Sequence, residues 1–290
     1  MAAVVLCLHP DRASVVDVAT RAAEWLLERG HEVRLSEEDA ATADLTALGV
    51  GRADLLDGAD LAVSLGGDGT MLRTVDLVAD AGIPVIGVNL GTLGYLTEVE
   101  PQHVVDALAR FLAGDHSLET RMRLSVEVDA SAHEGPGSRI VPALNEAVVG
   151  KTPTGQIVRV RVLIDGEELT TYAADGIIIA TPTGSTAYAW SAGGPIVSPD
   201  HAALLLTPVA PHMLFDRSLV LPPSSTIRLE IASDRPATLS VDGRNLGLLH
   251  EGDAVVCTVS PLPATIVTFE RRNFLRILKA KFRLDDRSED

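Results

Sequence analysis

Leu61-Ala62-Val63-Ser64-Leu65-Gly66-Gly67-Asp68-Gly69-Thr70-Met71-Leu72-Arg73-Thr74-Val75 changes its pattern midway. Leu61 to Leu65 is the short apolar run of a buried strand, and Met71 to Ala79 has helical spacing. Between them lies Gly66-Gly67-Asp68-Gly69-Thr70, a glycine turn that carries one carboxylate. Strand, glycine turn and helix are the repeating step of a parallel α/β sheet. Glycine lets a backbone come close to a ligand. The first N–H groups of a helix have no intrahelical partner, so the turn suits phosphates. A carboxylate in that place repels phosphate, which suggests chemistry such as taking a proton from a hydroxyl. The plainer reading is that Asp68 is an ordinary helix N-cap.

The same alternation extends on both sides. Ala3 to Leu8 reads as a strand rather than a signal peptide, Arg12 to Arg29 as a helix ended by Gly30, and Glu32 to Leu35 as a short strand. Pro84 to Val88 is a further strand, followed by Gly91-Thr92-Leu93-Gly94-Tyr95, and Pro101 to Ala113 reads as a helix. Ser36 to Gly58 is polar and acidic and has no clear assignment. The expectation for residues 1–120 is an α/β domain with a Rossmann-like parallel sheet. Both glycine segments then fall at strand carboxyl ends, where such sheets bind ligands.

Near Glu119 the period changes to two. Leu124 to Val128 alternates, and Val158 to Ile164 alternates more strongly, followed by Asp165-Gly166 and Leu169 to Tyr172, a hairpin signal. Ile177 to Ala180, Thr226 to Ile231, Thr238 to Val241, Ala254 to Val259 and Thr265 to Phe269 continue in this style. Residues 121–268 are therefore expected to form a β-rich sandwich, leaving a basic, amphipathic tail at 269–290.

Three features of this half carry chemistry. Asn145-Glu146 is a polar pair inside an apolar run, so it needs partners. Asp175-Gly176 precedes the strand Ile177 to Ala180. Thr181-Pro182-Thr183-Gly184-Ser185-Thr186-Ala187-Tyr188 is rich in hydroxyls, and Ser191 extends it. Asp242-Gly243 reads as a hairpin turn explained by structure alone. A Walker loop, a G-x-G-x-x-G fingerprint and a nucleophile elbow are all missing, and the eight His residues show no metal-ligand spacing. The net charge of −16 argues against a nucleic-acid or membrane-surface binder. Cys7 and Cys257 form no disulfide framework, which fits a reduced, cytoplasmic setting.

Taken in order, the Gly66 to Leu72 segment, Gly91 to Leu96, Asn145-Glu146, and Asp175-Gly176 with Thr181 to Tyr188 resemble the bacterial NAD kinase family. The likeness spans nearly the whole chain. It implies transfer of the terminal phosphoryl group of ATP, or of polyphosphate, to the 2′-hydroxyl of the adenosine ribose of NAD. By the motif match Asp68 would be the general base, and Gly67, Gly69 and Thr70 would meet the phosphates. Tyr95 and Leu96 would border the adenosine, and Asn145 and Glu146 would hold NAD. Asp175, Thr183, Thr186, Ala187, Tyr188 and Ser191 would line the adenine and nicotinamide pockets. No residue is assigned as a metal ligand, but two polyphosphates on so acidic a chain call for Mg²⁺. The resemblance further implies a tail that packs back on the first domain and a homodimer or homotetramer. The alternative is a lipid or sugar kinase with the same Gly-Gly-Asp-Gly loop, which would not need Asn145-Glu146 or the hydroxyl-rich turn. A non-catalytic dinucleotide sensor would gain nothing from Asp68.

Overall fold

Ala3–Leu8 and Leu61–Gly66 are buried at every position, as strands covered on both faces must be. They pair in parallel at the centre of a seven-stranded sheet. The computed structural model describes residues 1–10, 14–91, 94–129, 139–152, 156–270, 274–282 and 284. The expected helix start at Arg12, Thr92 and Leu93 of the second glycine segment, and the tail at Arg271 and beyond 284 thus lie outside the described residues. The chain forms two compact units, Met1–Thr120 with Ala264–Asp290, and Arg121–Pro263.

In the first unit the sheet order is Gly49–Val50, Glu32–Ser36, Ala3–Leu8, Leu61–Gly66, Val85–Asn89, Ala264–Thr268, Ser117–Arg121. From Ala3–Leu8 the chain builds outward to one side, and from Leu61–Gly66 to the other. The carboxyl ends of these two strands therefore form a topological switch point, where open α/β sheets bind ligands. Helix Ser14–Glu28 buries Val15, Val18, Ala19, Ala22, Ala23 and Leu26, one apolar stripe at helical spacing.

Three elements differ from what periodicity suggests. The helix after the glycine turn begins at Asp68 rather than Met71, because Gly67 already accepts from Met71 N at 3.0 Å. Glycine is a poor interior helix former, but the first turn has no intrahelical N–H bonds to lose. The unassigned segment after Ser36 folds into helix Glu37–Thr42, whose Asp39 N–H donates to the Ser36 hydroxyl, then strand Gly49–Val50 and helix Arg52–Leu55. Strand Ala264–Thr268, expected within the β-rich half, instead joins the first sheet, with Ile266 opposite Val85. An isolated β-run carries no mark of which sheet it completes.

The second unit holds two six-stranded sheets. Their inner faces share one apolar cluster, from Leu124, Val126 and Val160 of one sheet to Val149, Ile177 and Leu239 of the other, which makes it a β-sandwich. The outer face of strand Gly176–Ala180 is also covered, since Ile178 and Ala180 pack with Ala189 and Leu205. The Asp165-Gly166 hairpin forms as expected, with φ of 52° and 86° as a type I′ turn requires.

Candidate active site

The Gly66-Gly67-Asp68 turn leaves the switch point and enters a cleft of about 500 Å³ lined by Gly67, Asp68, Gly69, Thr70, Asn89 and Lys281. Asp68 does not cap its own helix, whose cap residue is Gly67 without a side-chain bond. Its carboxylate turns to the second glycine segment instead. Tyr95 N donates to Oδ2 at 2.9 Å and Leu96 N to Oδ1 at 3.0 Å. These charge-assisted bonds fix both oxygens and leave each with further accepting capacity. Two glycines make the arrangement sterically possible. A Cβ on Gly94 would run into the Asp68 carboxylate and the Thr97 hydroxyl, and one on Gly66 into the Thr70 hydroxyl. Gly67 and Gly69 instead face open space, so a ligand could approach their backbone closely.

Cations border this acidic centre. Lys281, on helix Phe274–Phe282, holds its ammonium 4.8 Å from the centre of the Tyr95 ring. Arg73 also lines the cleft, donates to the Leu8 carbonyl and lies 3.7 Å from Asp39. Periodicity passed over both. Lys281 could have been suspected from the basic tail, whereas Arg73 looks like any exposed helical arginine.

In the second unit the Asn145-Glu146 backbone is clamped from two sides. Thr181 donates its N–H to the Asn145 carbonyl at 2.9 Å and its hydroxyl to the Leu144 carbonyl. Gly184 presses on the same segment, so a Cβ there would collide with the Asn145 backbone. From the other side Asp242 accepts the N–H groups of Leu144, Asn145 and Glu146 at 2.7, 2.8 and 3.0 Å. Glu146 is buried, its carboxyl accepts from Tyr188 N–H, and among the described residues its Oε2 has no partner. Burial and the nearby Asp242 push its pKa up to about 8. A buried acceptor left without a donor is a place for a ligand hydroxyl.

Asp175 and Tyr188 line a separate cleft of about 440 Å³ with Lys151, Thr238, Ser240 and Asn245. Lys151 pairs with Asp175 at 2.8 Å. The other expected residues are placed differently. Thr183 is buried and its hydroxyl takes a bond from Arg121 at 3.3 Å, while Thr186 donates to the Thr183 carbonyl. Ala187 N donates to the Gly184 carbonyl. Thr183, Thr186, Ala187 and Ser191 are not among the residues that line this cleft. The hydroxyls of Thr181, Ser185 and Thr186 are spent on holding the turn.

Residues 4–116 match the ATP-NAD kinase N-terminal domain and residues 144–269 the ATP-NAD kinase C-terminal domain. The NAD kinase of Heliobacterium modesticaldum is 42% identical over 283 residues, 97% of this chain and 98% of that protein. The chain belongs to the NAD kinase family. The NAD kinase of Nocardia farcinica is 36% identical, across 97% of this chain and 91% of that protein. Yeast NADH kinase complexed with NADH superposes with a TM-score of 0.90 at 27% identity, covering all of this chain and 89% of that one. An Archaeoglobus fulgidus NAD kinase in complex with ATP gives 0.72 at 28% identity, covering 98% and 99%. The enzyme is accordingly a phosphotransferase acting on NAD. Among the described residues no three His, Cys, Asp or Glu side chains group as a metal cage.

Proposed function

We propose that the enzyme moves the terminal phosphoryl group of ATP, or of polyphosphate, onto the 2′-hydroxyl of the adenosine ribose of NAD, giving NADP. The observation that carries this is Asp68: a carboxylate at a switch-point glycine loop, fixed by two N–H groups and not used as a cap. As base it takes the 2′-hydroxyl proton while the ribose oxygen bonds to the terminal phosphorus and the bond to the ADP oxygen breaks. Positioned proton transfer of this kind contributes about 10²–10⁴ in rate. The N–H groups of Gly67, Gly69 and Thr70 would meet the phosphates, Tyr95 and Leu96 would border the adenosine, and Asn145 and Glu146 would hold NAD. Asp175 and Tyr188 would contact NAD from their cleft; Ser191 would do so from the exposed end of its helix. Thr183, Thr186 and Ala187 would serve through backbone groups and the shape of their turn. Mg²⁺, when bound, would neutralise charge on the phosphates.

The experiment is phosphorus NMR of a reaction containing the protein, Mg²⁺, ATP and NAD. A new phosphate on the adenosine 2′-oxygen is expected. A phosphate on the nicotinamide ribose, or on a lipid and never on NAD, would overturn the assignment and favour a lipid kinase.

Lys281 supplies a cation to the cleft that Asp68 lines, in a protein of net charge −16. Lys281→Ala should raise the KM for ATP about tenfold, with a smaller change for NAD. Initial-rate kinetics with each substrate varied in turn would read this, and equal effects on both substrates would contradict it.

We further infer a homo-oligomer in the cytoplasm. Leu219–Leu221 and Arg244–Leu249 end one sheet of the sandwich, and Val220 and Leu248 are exposed there. Such edges are usually paired or covered. Light scattering should find a dimer or tetramer at micromolar concentration; an active monomer would contradict it. Among the described residues no helix is long and apolar enough to cross a membrane.

A further inference from the structure

Asp242-Gly243 joins strands Ala237–Val241 and Arg244–Leu249 with φ of 45° and 77°, a type I′ hairpin. For that turn alone Asn or Gly would serve as well as Asp. The carboxylate does something the turn does not ask of it. It accepts three consecutive N–H groups, Leu144 N on Oδ2 and Asn145 N and Glu146 N on Oδ1. Asp242 N in turn donates to the Glu146 carbonyl at 3.0 Å.

We propose that Asp242 is a positioning residue for NAD binding: its carboxylate gathers the backbone of Leu144, Asn145 and Glu146 and so fixes the two side chains that receive the dinucleotide. Asn145 follows the last residue of strand Arg139–Ala143 by two and Glu146 opens strand Glu146–Lys151. Among the described residues no sheet ladder includes Leu144 or Asn145, and Asp242 accepts both of their N–H groups. An uncompensated N–H there would let the segment shift, and Oε2 of Glu146 would move with it.

Asp242 also acts on Glu146 through charge. Among the described residues it is the charged group that raises the Glu146 pKa beyond what burial does, and Arg244 in turn acts on Asp242. Removing the Asp242 charge should therefore make Glu146 easier to ionise. A hairpin turn with no other duty would leave that titration unmoved.

The inference rests on the reading of Asn145 and Glu146 as NAD-binding, so both are tested together. Asp242→Asn keeps the turn but sets an amide donor against the Leu144 N–H. Asp242→Gly keeps the turn and deletes the side chain. Both should raise the KM for NAD, by about fivefold for Asn and more than tenfold for Gly, with the KM for ATP nearly unchanged. In Asp242→Asn the pH dependence of NAD affinity should also shift to lower pH. Asn145→Ala and Glu146→Gln serve as the reference. If they leave NAD affinity intact, the assignment of the pair fails. If they weaken it while both Asp242 variants keep the native KM and pH profile, Asp242 is only a turn residue and the inference is overturned.

Discussion

Asp68→Asn should lower kcat by about 100-fold or more while NAD still binds. The amide keeps the size and one accepting oxygen, so one of the two N–H bonds from Tyr95 and Leu96 survives. Losing the other costs about 1–2 kcal/mol of stability, too little to unfold the chain. What the amide cannot do is accept the ribose proton. Stopped-time assays of NADP formation, paired with calorimetry of NAD binding, separate the two effects. A folded variant with near-native turnover would reduce Asp68 to an organiser of the 94–96 loop.

Glu146→Gln should weaken NAD binding about tenfold or more and abolish a proton release that accompanies it. With its pKa pushed up to about 8 by burial and Asp242, Glu146 holds a proton at pH 7 when the site is empty. Ribose hydroxyls that donate to it favour the ionised form, so binding should expel that proton. Calorimetry at pH 7 in buffers of different ionisation enthalpy reads the proton directly, and a binding heat independent of buffer would contradict the prediction. Stability follows the same group. A raised folded-state pKa means a contribution fully present below the unfolded value near 4.5 and lost as pH rises through about 8. Glu146→Gln should flatten the stability profile across that window. Urea titrations of both proteins at pH 5 and pH 8.5 would show it.

Much of this was legible in the chain. The change of period around Gly66-Gly67-Asp68-Gly69 exposes the α/β unit and its glycine turn, because buried parallel strands are apolar throughout and helices are not. Asp165-Gly166 exposes a hairpin because few residues tolerate two positive φ values. The partners of Asp68 were harder to read. Tyr95 and Leu96 meet its carboxylate through backbone N–H groups, which every residue except proline possesses. Only Gly94, whose missing Cβ leaves room for the carboxylate, hints at the approach. The hairpin at Asp242-Gly243 forms as read, but the reach of its carboxylate stayed hidden for the opposite reason: one local explanation was sufficient, and its bonds go 96 to 98 residues back along the chain. Hydroxyls in the Thr181 to Tyr188 turn looked like ligand donors, yet several hold the turn itself. Composition cannot separate those duties.

Residues Met1–Thr120 do not contain all of their own sheet, because Ala264–Thr268 stands between Val85–Asn89 and Ser117–Arg121. On the ribosome this means that the first part made is among the last to be finished. While the sandwich of Arg121–Pro263 is being translated, the nascent strand Val85–Asn89 waits with one edge unpaired, although Val85, Ile86 and Val88 are destined for burial. Such an edge invites pairing with a neighbouring chain, which is work for a chaperone. A translation product ended early carries the Gly-Gly-Asp-Gly loop but not the completed sheet that aims it.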